Sequence, residues 1–266
     1  AVSTANEAAL PLPSVQYVHY PQFNLARRRE DDGGRLNPLW SRLAAPDADG
    51  DHESSTYLAN SRWTANVFAE IYGTRPAVLH PPVEPVSCDA TWEDREPGFV
   101  VVGRIAPDKR HETAIAIVEG VRDRGHDVHL HIVGSAPRAY RRYAREIEAA
   151  AAARPYVHVE MNASRSRIDD LYCSHRYGLN AKPDEHFGMA VAESVAAGMV
   201  PFAPASGGQQ EILRGREDRL FDSTADAIEL VSAAIAREDR PTLPRDRFAS
   251  DRFRDAFRQH VKFPQD

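Results

Sequence analysis

Apolar residues in this chain recur as short runs, each closed by glycine, proline or a polar cluster, and longer stretches with helical spacing separate the later runs. In the first third the runs are 15–19, 56–60 and 77–79. Ser61 reads as the N-cap of a helix to about residue 72, and Gly73 supplies its stop. Residues 27–35 are polar and 46–53 loop-like. The segment 80–85, His80-Pro81-Pro82-Val83-Glu84-Pro85, is stiff and cannot pair within a central sheet, so it reads as a linker. Beyond Pro97 the pattern becomes regular: 99–102, 128–133, 156–160, 176–181 and 200–204 read as strands, with helical stretches such as 112–124 between them. A parallel crossover needs a helix's length of chain to return, so this alternation predicts a parallel sheet covered on both faces. The Ala-rich stretch around 149–153 is good helix-forming sequence.

The expected fold class is therefore α/β, with a doubly wound, Rossmann-like domain at 85–244, a partial α/β lobe at 1–84 and a C-terminal segment at 245–266. A helix is expected over 245–261, with Phe248, Phe253 and Phe257 on its apolar side. A length of 266 residues suits one large domain or two small ones and excludes two full-sized α/β domains. With 27% charged residues and a formal charge of -6, the composition is globular, and nucleic acid is a poor partner. Cys88 and Cys173 lie far apart with no CxxC or Cys/His spacing, so neither a disulfide framework nor a structural zinc site is indicated, and a reducing compartment fits best. No apolar run approaches the ~20 residues that span a bilayer, and residues 1–13 lack a signal-peptide pattern. The expectation is a soluble, cytoplasmic chain, and the absence of an initial Met reads as a fragment. Of the 33 basic residues only Lys109, Lys182 and Lys262 are lysines, which makes each lysine an unusual choice.

In open parallel sheets ligands bind beyond the carboxyl ends of the strands, so the residues following each run carry the chemistry. After the first run of the regular half come Gly103, Arg104 and Lys109; glycine admits a ligand to the backbone, and the two cations suit a diphosphate. The dinucleotide fingerprint of three glycines is absent here, and an ordinary turn with solvated charges is the competing reading. Gly134-Ser135-Ala136 closes the next run and is more simply a turn. Arg138, Arg141, Arg142 and Arg145 after it read as a solvated helix face more readily than as a surface for an acidic acceptor or lipid.

The third exit carries most of the argument. Glu185, His186 and Phe187 precede a helix opened by Gly188 and Met189 and ended by Gly198, with Glu193 about one and a half turns inside it. The N-terminal amides of that helix suit a phosphate, and a carboxylate at Glu193 suits the neighbouring hydroxyls of a ribose. A glutamate among Ala, Val and Ser is hard to explain as merely solvated. The fourth exit, Ser206-Gly207-Gly208, fits a phosphate loop or a plain helix start equally well.

Glu185 and Glu193 resemble the E-x7-E motif of retaining glycosyltransferases of the two-lobed GT-B architecture, family 4. The blocks Tyr17-Val18-His19-Tyr20-Pro21, Ala59-Asn60-Ser61-Arg62-Trp63-Thr64, Pro81-Pro82-Val83, Val102-Gly103-Arg104 with Lys109, Ala196-Ala197-Gly198 and Ser206-Gly207-Gly208 agree in order over about 15–215. The similarity is nearest the branch of α-1,2-mannosyltransferases that extend lipid-linked oligosaccharides. It implies a GDP- or UDP-linked sugar donor as substrate, with no cofactor and no metal, and transfer with retention to a glycan, lipid-linked or small-molecule hydroxyl. It also implies contact with the cytoplasmic membrane face where the acceptor is a lipid. By the same resemblance Arg104 and Lys109, with Gly103 and Gly134 beside them, hold the diphosphate. Glu193 holds the ribose; Glu185, His186 and the amides of Phe187, Gly188 and Met189 meet sugar and phosphates; and His19 approaches the sugar from the first lobe. The family's last helix crosses back to the first lobe, which 245–261 would do unless it packs on its own domain. A complete first lobe has more βα units and a Gly-rich loop not visible in residues 1–14, so a truncated or naturally reduced lobe is expected. The alternative function is a sugar-nucleotide binding module without transfer activity. An NAD-dependent reductase fits the sheet but lacks both the glycine fingerprint and the acidic ribose reader.

Overall fold

The computed structural model describes residues 1–4, 6, 7, 10, 13–21 and 55–261. The polar stretch 27–35, the loop 46–53 and Lys262 lie outside the described residues. The chain divides into two units, residues 1–82 with 250–266, and residues 83–249.

The first unit holds a parallel sheet of β1 (Val2–Ser3), β2 (Val15–Val18), β3 (Thr56–Ala59) and β4 (Ala77–Val78), in that order. Helix α1 (Arg62–Tyr72) begins and ends at the residues the sequence marks. The Ser61 hydroxyl accepts from the Thr64 amide at 3.0 Å, and Gly73 takes the left-handed conformation at φ 69°. Phe68 and Tyr72 bury one side of this helix with Val18 and Tyr57.

The second unit is built on six parallel strands: β5 (Glu96–Val102), β6 (His129–Gly134), β7 (Val157–Met161), β8 (His175–Leu179), β9 (Val200–Pro204) and β10 (Leu220–Phe221). Their order is β10-β9-β8-β5-β6-β7. Helices α2 (His111–Asp123), α3 (Arg141–Ala152), α4 (Arg165–Ser174), α5 (Met189–Ala196) and α6 (Gln209–Ile212) lie between them, and α7 (Thr224–Ala236) follows β10. Side chains alternate along a strand, so Phe99 and Val101 enter one core with α2, α3 and α7. Val100 enters another with Leu171, Tyr172 and Ala197. Burial on both faces is why β9 and residues 99–102 of β5 read as unbroken apolar runs, whereas β6, β7 and β8 carry polar residues where their side chains are less buried. β5 nevertheless begins at Glu96, before its apolar run, because backbone pairing with β6 and β8 needs no apolar side chain.

The last helix, α8 (Ser250–His260), is shorter than the expected 245–261. Phe253 and Phe257 pack with Tyr17, Leu58 and Leu79 of the first unit, whereas Phe248 precedes the helix and lies edge-on to Phe187 in the second. Among the described residues no helix is long and apolar enough to cross a membrane.

The cysteine expectation is overturned: Cys88 and Cys173 form a disulfide across a sequence separation of 85 residues. Spacing rules detect ligands close in sequence, and nothing local marks two cysteines that the fold alone brings together. The ground for expecting a reducing compartment goes with it. Beside the disulfide, the buried Arg95 guanidinium donates to the carbonyls of Ala197 (2.8 Å), Gly198 (3.2 Å), Tyr172 (3.4 Å) and His175 (3.4 Å). It thereby satisfies the carbonyl ends of both α4 and α5, where a cation also complements the helix dipole.

Two predictions concern stability. A native disulfide is typically worth about 2–4 kcal/mol, and more as the closed loop lengthens. Reductant should therefore lower the thermal midpoint, and the Cys88→Ala, Cys173→Ala double variant should melt at that lowered midpoint with or without reductant. The second concerns pH. Burial lowers the His186 imidazole to about 4 and the His111 imidazole below its ordinary range. The unfolded chain binds these protons near pH ~6.5, so the stabilisation is present above that value and is lost as pH falls toward 4. Melts between pH 4 and 8 should show a midpoint falling through this window, less steeply in His186→Gln.

Candidate functional site

The strand order reverses between β5 and β8, whose following loops are therefore neighbours at one end of the sheet. The loop after β5 is fixed by backbone bonds to the exit of β6, Gly103 N–H to Val133 O at 3.0 Å and Ile105 N–H to Ser135 O at 2.7 Å. A Cβ at Gly134 would overlap the Gly103 carbonyl, so close approach of two backbones accounts for that glycine. His111, at the start of α2, places a ring nitrogen 2.9 Å from the Arg104 carbonyl.

The loop after β8 is braced from the β9 side. Gln209 is fully buried; its Oε1 accepts from Asn180 at 2.7 Å and its Nε2 donates to the Lys182 carbonyl at 3.1 Å. Gly208 N–H donates to Glu185 O at 2.7 Å, and Asp184 N–H to the Ser206 hydroxyl at 2.9 Å. Gly207 sits at φ 73°, where a Cβ would stand 2.5 Å from the Glu185 backbone. The Ser206-Gly207-Gly208 turn, which the sequence left open between two readings, is thus a clamp on Glu185.

Between the two loops lies a charge network. Lys109 pairs with Glu185; Lys182 Nζ lies 3.0 Å from Asp108 Oδ2, and Arg104 Nη2 lies 3.3 Å from the same oxygen. Three cations stand against two carboxylates, and both carboxylates already carry a cation. Burial alone would raise the Asp108 carboxyl, but Lys182, with Arg104 and Lys109, outweighs it and holds the group below the usual range. His186 is kept neutral by burial, assisted by the charge of Lys182. An uneven set of this kind suits an anionic ligand, with Arg104, half exposed, as the most accessible of its donors.

Helix α5 opens at Gly188, which gives no side-chain cap to the first-turn amides. Met189 is exposed there, while the Phe187 side chain is buried in the core against Phe248, which leaves only its backbone for a ligand. Glu193 is 15% exposed and not solvated: its carboxylate accepts from Arg165 at 2.5 Å and from the Tyr172 hydroxyl at 3.0 Å.

The structure therefore brings Arg104, Lys109 and Glu185 into one network, with Gly103, Gly134, His186 and Gly188 in its loops. Glu193 belongs to a separate cluster with Arg165 and Tyr172. His19 lies in the first unit, where its backbone N–H donates to Asn6 Oδ1 at 2.8 Å and its carbonyl accepts from Asn60 at 2.9 Å. Asp108, Lys182, Gln209, Arg165 and Tyr172 were missed by the sequence reading. The scarcity of lysine could have found Lys182; the others carry no local signal.

Solved structures share this fold. The chain aligns with HepE of Anabaena in complex with UDP at a TM-score of 0.71, 14% identity, covering 93% of this chain and 71% of that one. It aligns with WaaG, a glycosyltransferase involved in lipopolysaccharide biosynthesis, at 0.64, 16% identity, 89% and 69%. The architecture is accordingly GT-B-like α/β. The GDP-Man:Man(3)GlcNAc(2)-PP-Dol alpha-1,2-mannosyltransferase of Dictyostelium discoideum is 23% identical over 238 residues, 79% of this chain and 47% of the relative. That of Mus musculus is 25% identical over 171 residues, 58% of this chain and 35% of the relative. The chain thus spans about half the length of the first of these relatives and less of the second. Residues 89–247 match the family described as Glycosyl transferases group 1. That segment is more than half of the sequence and contains both charged loops and α5, and the chain belongs to this family.

Proposed function

We propose that this chain handles the donor in a retaining glycosyl transfer, with GDP-mannose as donor and a glycan or lipid-linked hydroxyl as acceptor. The observation that carries the reading is the surplus of cations at the reversal of strand order, where Lys182 and Glu185 stand in the loop that leads into α5. The mannosyl and guanosine parts are supported by the names of the curated relatives, the nucleotide class also by the UDP in the Anabaena structure.

The reaction separates a nucleoside diphosphate from a sugar carbon that becomes oxocarbenium-like. Preorganised positive charge at the leaving diphosphate is then the main contribution to rate. In this reading the donor phosphates draw Lys109 and Arg104 from their carboxylates. Glu185, released from Lys109, accepts from the sugar hydroxyls. The acceptor oxygen forms its bond to the anomeric carbon as the carbon–phosphate oxygen bond breaks on the same face, and the acceptor proton passes to the departing phosphate oxygen. No carboxylate nucleophile is needed, unlike in a retaining glycosidase. Each Glu193 oxygen spends one lone pair on Arg165 or Tyr172 and keeps another for a ribose hydroxyl; in this reading Glu193 takes the nucleoside end of the donor and the cations its phosphates. His19 is assigned to the transferred sugar on family resemblance alone. No cofactor or metal enters this scheme, and lipid-linked acceptors would bring the chain to a membrane surface.

GDP and GDP-mannose at about a hundred times Kd should stabilise the chain by about 2.7 kcal/mol, read as a raised thermal midpoint, with uridine and adenosine diphosphates weaker. Lys109→Ala removes a charge-assisted contact worth about 1.5–3 kcal/mol, so GDP affinity should fall roughly 10- to 150-fold. Glu193→Ala should lose the nucleoside contribution. A chain indifferent to every nucleotide would contradict the proposal, whereas binding without GDP release, with or without acceptor, would favour the module that has lost transfer. Gly207→Ala should strain its backbone and displace Glu185, weakening donor binding beyond its cost in stability.

A further inference from the structure

The opposite end of the same sheet carries a second constellation. β6 sends His129 and His131 to one face, and β8 begins with His175. β5 runs between these strands, with Gly98 in register with His129. A Cβ at 98 would overlap the His129 ring and stand 2.7 Å from the Cδ2 of His175. The missing side chain lets imidazoles from the strands on either side of β5 meet over it, Nε2 to Nε2 at 3.0 Å. One ring nitrogen from each of His129, His131 and His175 lies within 4.8 Å of the others. His175 is buried, the other two are half-buried, and a cavity of about 560 Å³ lined by Glu96, His129, His131 and His158 opens beside them.

Outer partners set the tautomers. His131 Nδ1 lies 3.2 Å from a Glu160 oxygen, and Glu160 is gripped by Arg167 through two bonds of 2.8 Å. His175 Nδ1 lies 2.9 Å from the Leu171 carbonyl. A ring that donates from Nδ1 keeps the Nε2 lone pair, and a carboxylate or carbonyl behind the imidazole is the arrangement that orients metal-binding histidines. Tetrahedral zinc bonds nitrogen at about 2.0–2.1 Å, which puts two ligand nitrogens about 3.3 Å apart, close to the spacing of His129 and His175. Glu96 Oε2 lies 3.5 Å from His129 Nε2, in reach of a fourth position.

We propose that His129, His131 and His175 bind a transition-metal dication, zinc foremost, with Glu96 as fourth ligand, so that the metal ties β6 to β8 across β5. The site is structural, and it lies at the amino ends of the strands, whereas the charged loops follow their carboxyl ends. Imidazole-rich sets select zinc, copper or nickel over magnesium or calcium.

The test uses the full chain without a histidine tag, stripped with chelator and titrated with zinc chloride by calorimetry and thermal melting. One zinc per chain is expected, with a midpoint rise of about 5–10 °C at a hundredfold excess over Kd. The His129→Gln, His131→Gln double variant should abolish binding. Glu160→Gln should weaken it about 10- to 100-fold, and His158→Gln should leave it unchanged. No stabilisation by zinc, or stabilisation that survives the double variant, overturns the proposal. Should the double variant not fold, zinc-edge X-ray absorption on the unaltered chain decides: three imidazole ligands support the site, and fewer overturn it. Neither measurement involves a nucleotide, so the result is independent of the proposed transfer activity.

Discussion

Two loops leave adjacent parallel strands at the point where the sheet reverses its winding, and the space they leave is filled by ion pairs rather than by apolar side chains. Lys109 with Glu185, and Lys182 with Asp108, join the loop after β5 to the loop after β8. Charges in partly buried positions are tolerated only when paired, so each lysine requires its carboxylate and each loop requires the other. Arg104, sharing Asp108, leaves the set one cation in excess. That imbalance costs little while Arg104 reaches water, and it is the property on which the proposed anion binding rests.

The pairs can exchange partners only if the backbone beneath them holds still. Gln209 and Asn180 fix the loop after β8 by side-chain bonds, and Gly207 lets the turn at 206–208 lie against the backbone of Glu185. The α4 end is anchored as firmly. The Tyr172 carbonyl receives Arg95, its hydroxyl donates to Glu193, and its neighbour Cys173 is bonded to Cys88. Glu193 is therefore fixed through one residue that is tied to the core at both ends, and a carboxylate already oriented costs less ordering entropy when a ligand meets it.

What could be read in the sequence follows the range of the interaction that writes it. Ser61 and Gly73 act within one turn of their helix and bound α1 where expected. The runs mark every strand of the larger sheet except the two-residue β10; in β9 burial on both faces selects every position, whereas the edge strand β7 keeps only Val157 buried. The ends of those strands were less legible: β5 extends back through Pro97 and Gly98, and β8 stops before Asn180, where hydrogen bonding rather than burial decides. Lys109 and Glu185 were legible because they follow strands; Lys182 showed only as a rare residue type. Arg165, Tyr172 and the disulfide depend on contacts between distant segments, and no local pattern carries them.

The same reasoning explains why histidine is informative at one end of this sheet and carboxylate at the other. At the carboxyl ends the loops are long, and opposed charges find each other by side-chain reach. At the amino ends the strands themselves set the spacing, and a histidine on β6 reaches one on β8 only because Gly98 intervenes without a side chain. Any residue larger than glycine there would separate the rings of His129 and His175. Gly98 interrupts a buried strand at a cost in strand preference that its own backbone does not explain, since its φ is ordinary. The space it leaves is used by His129 and His175, so the glycine is accounted for by the rings that meet over it.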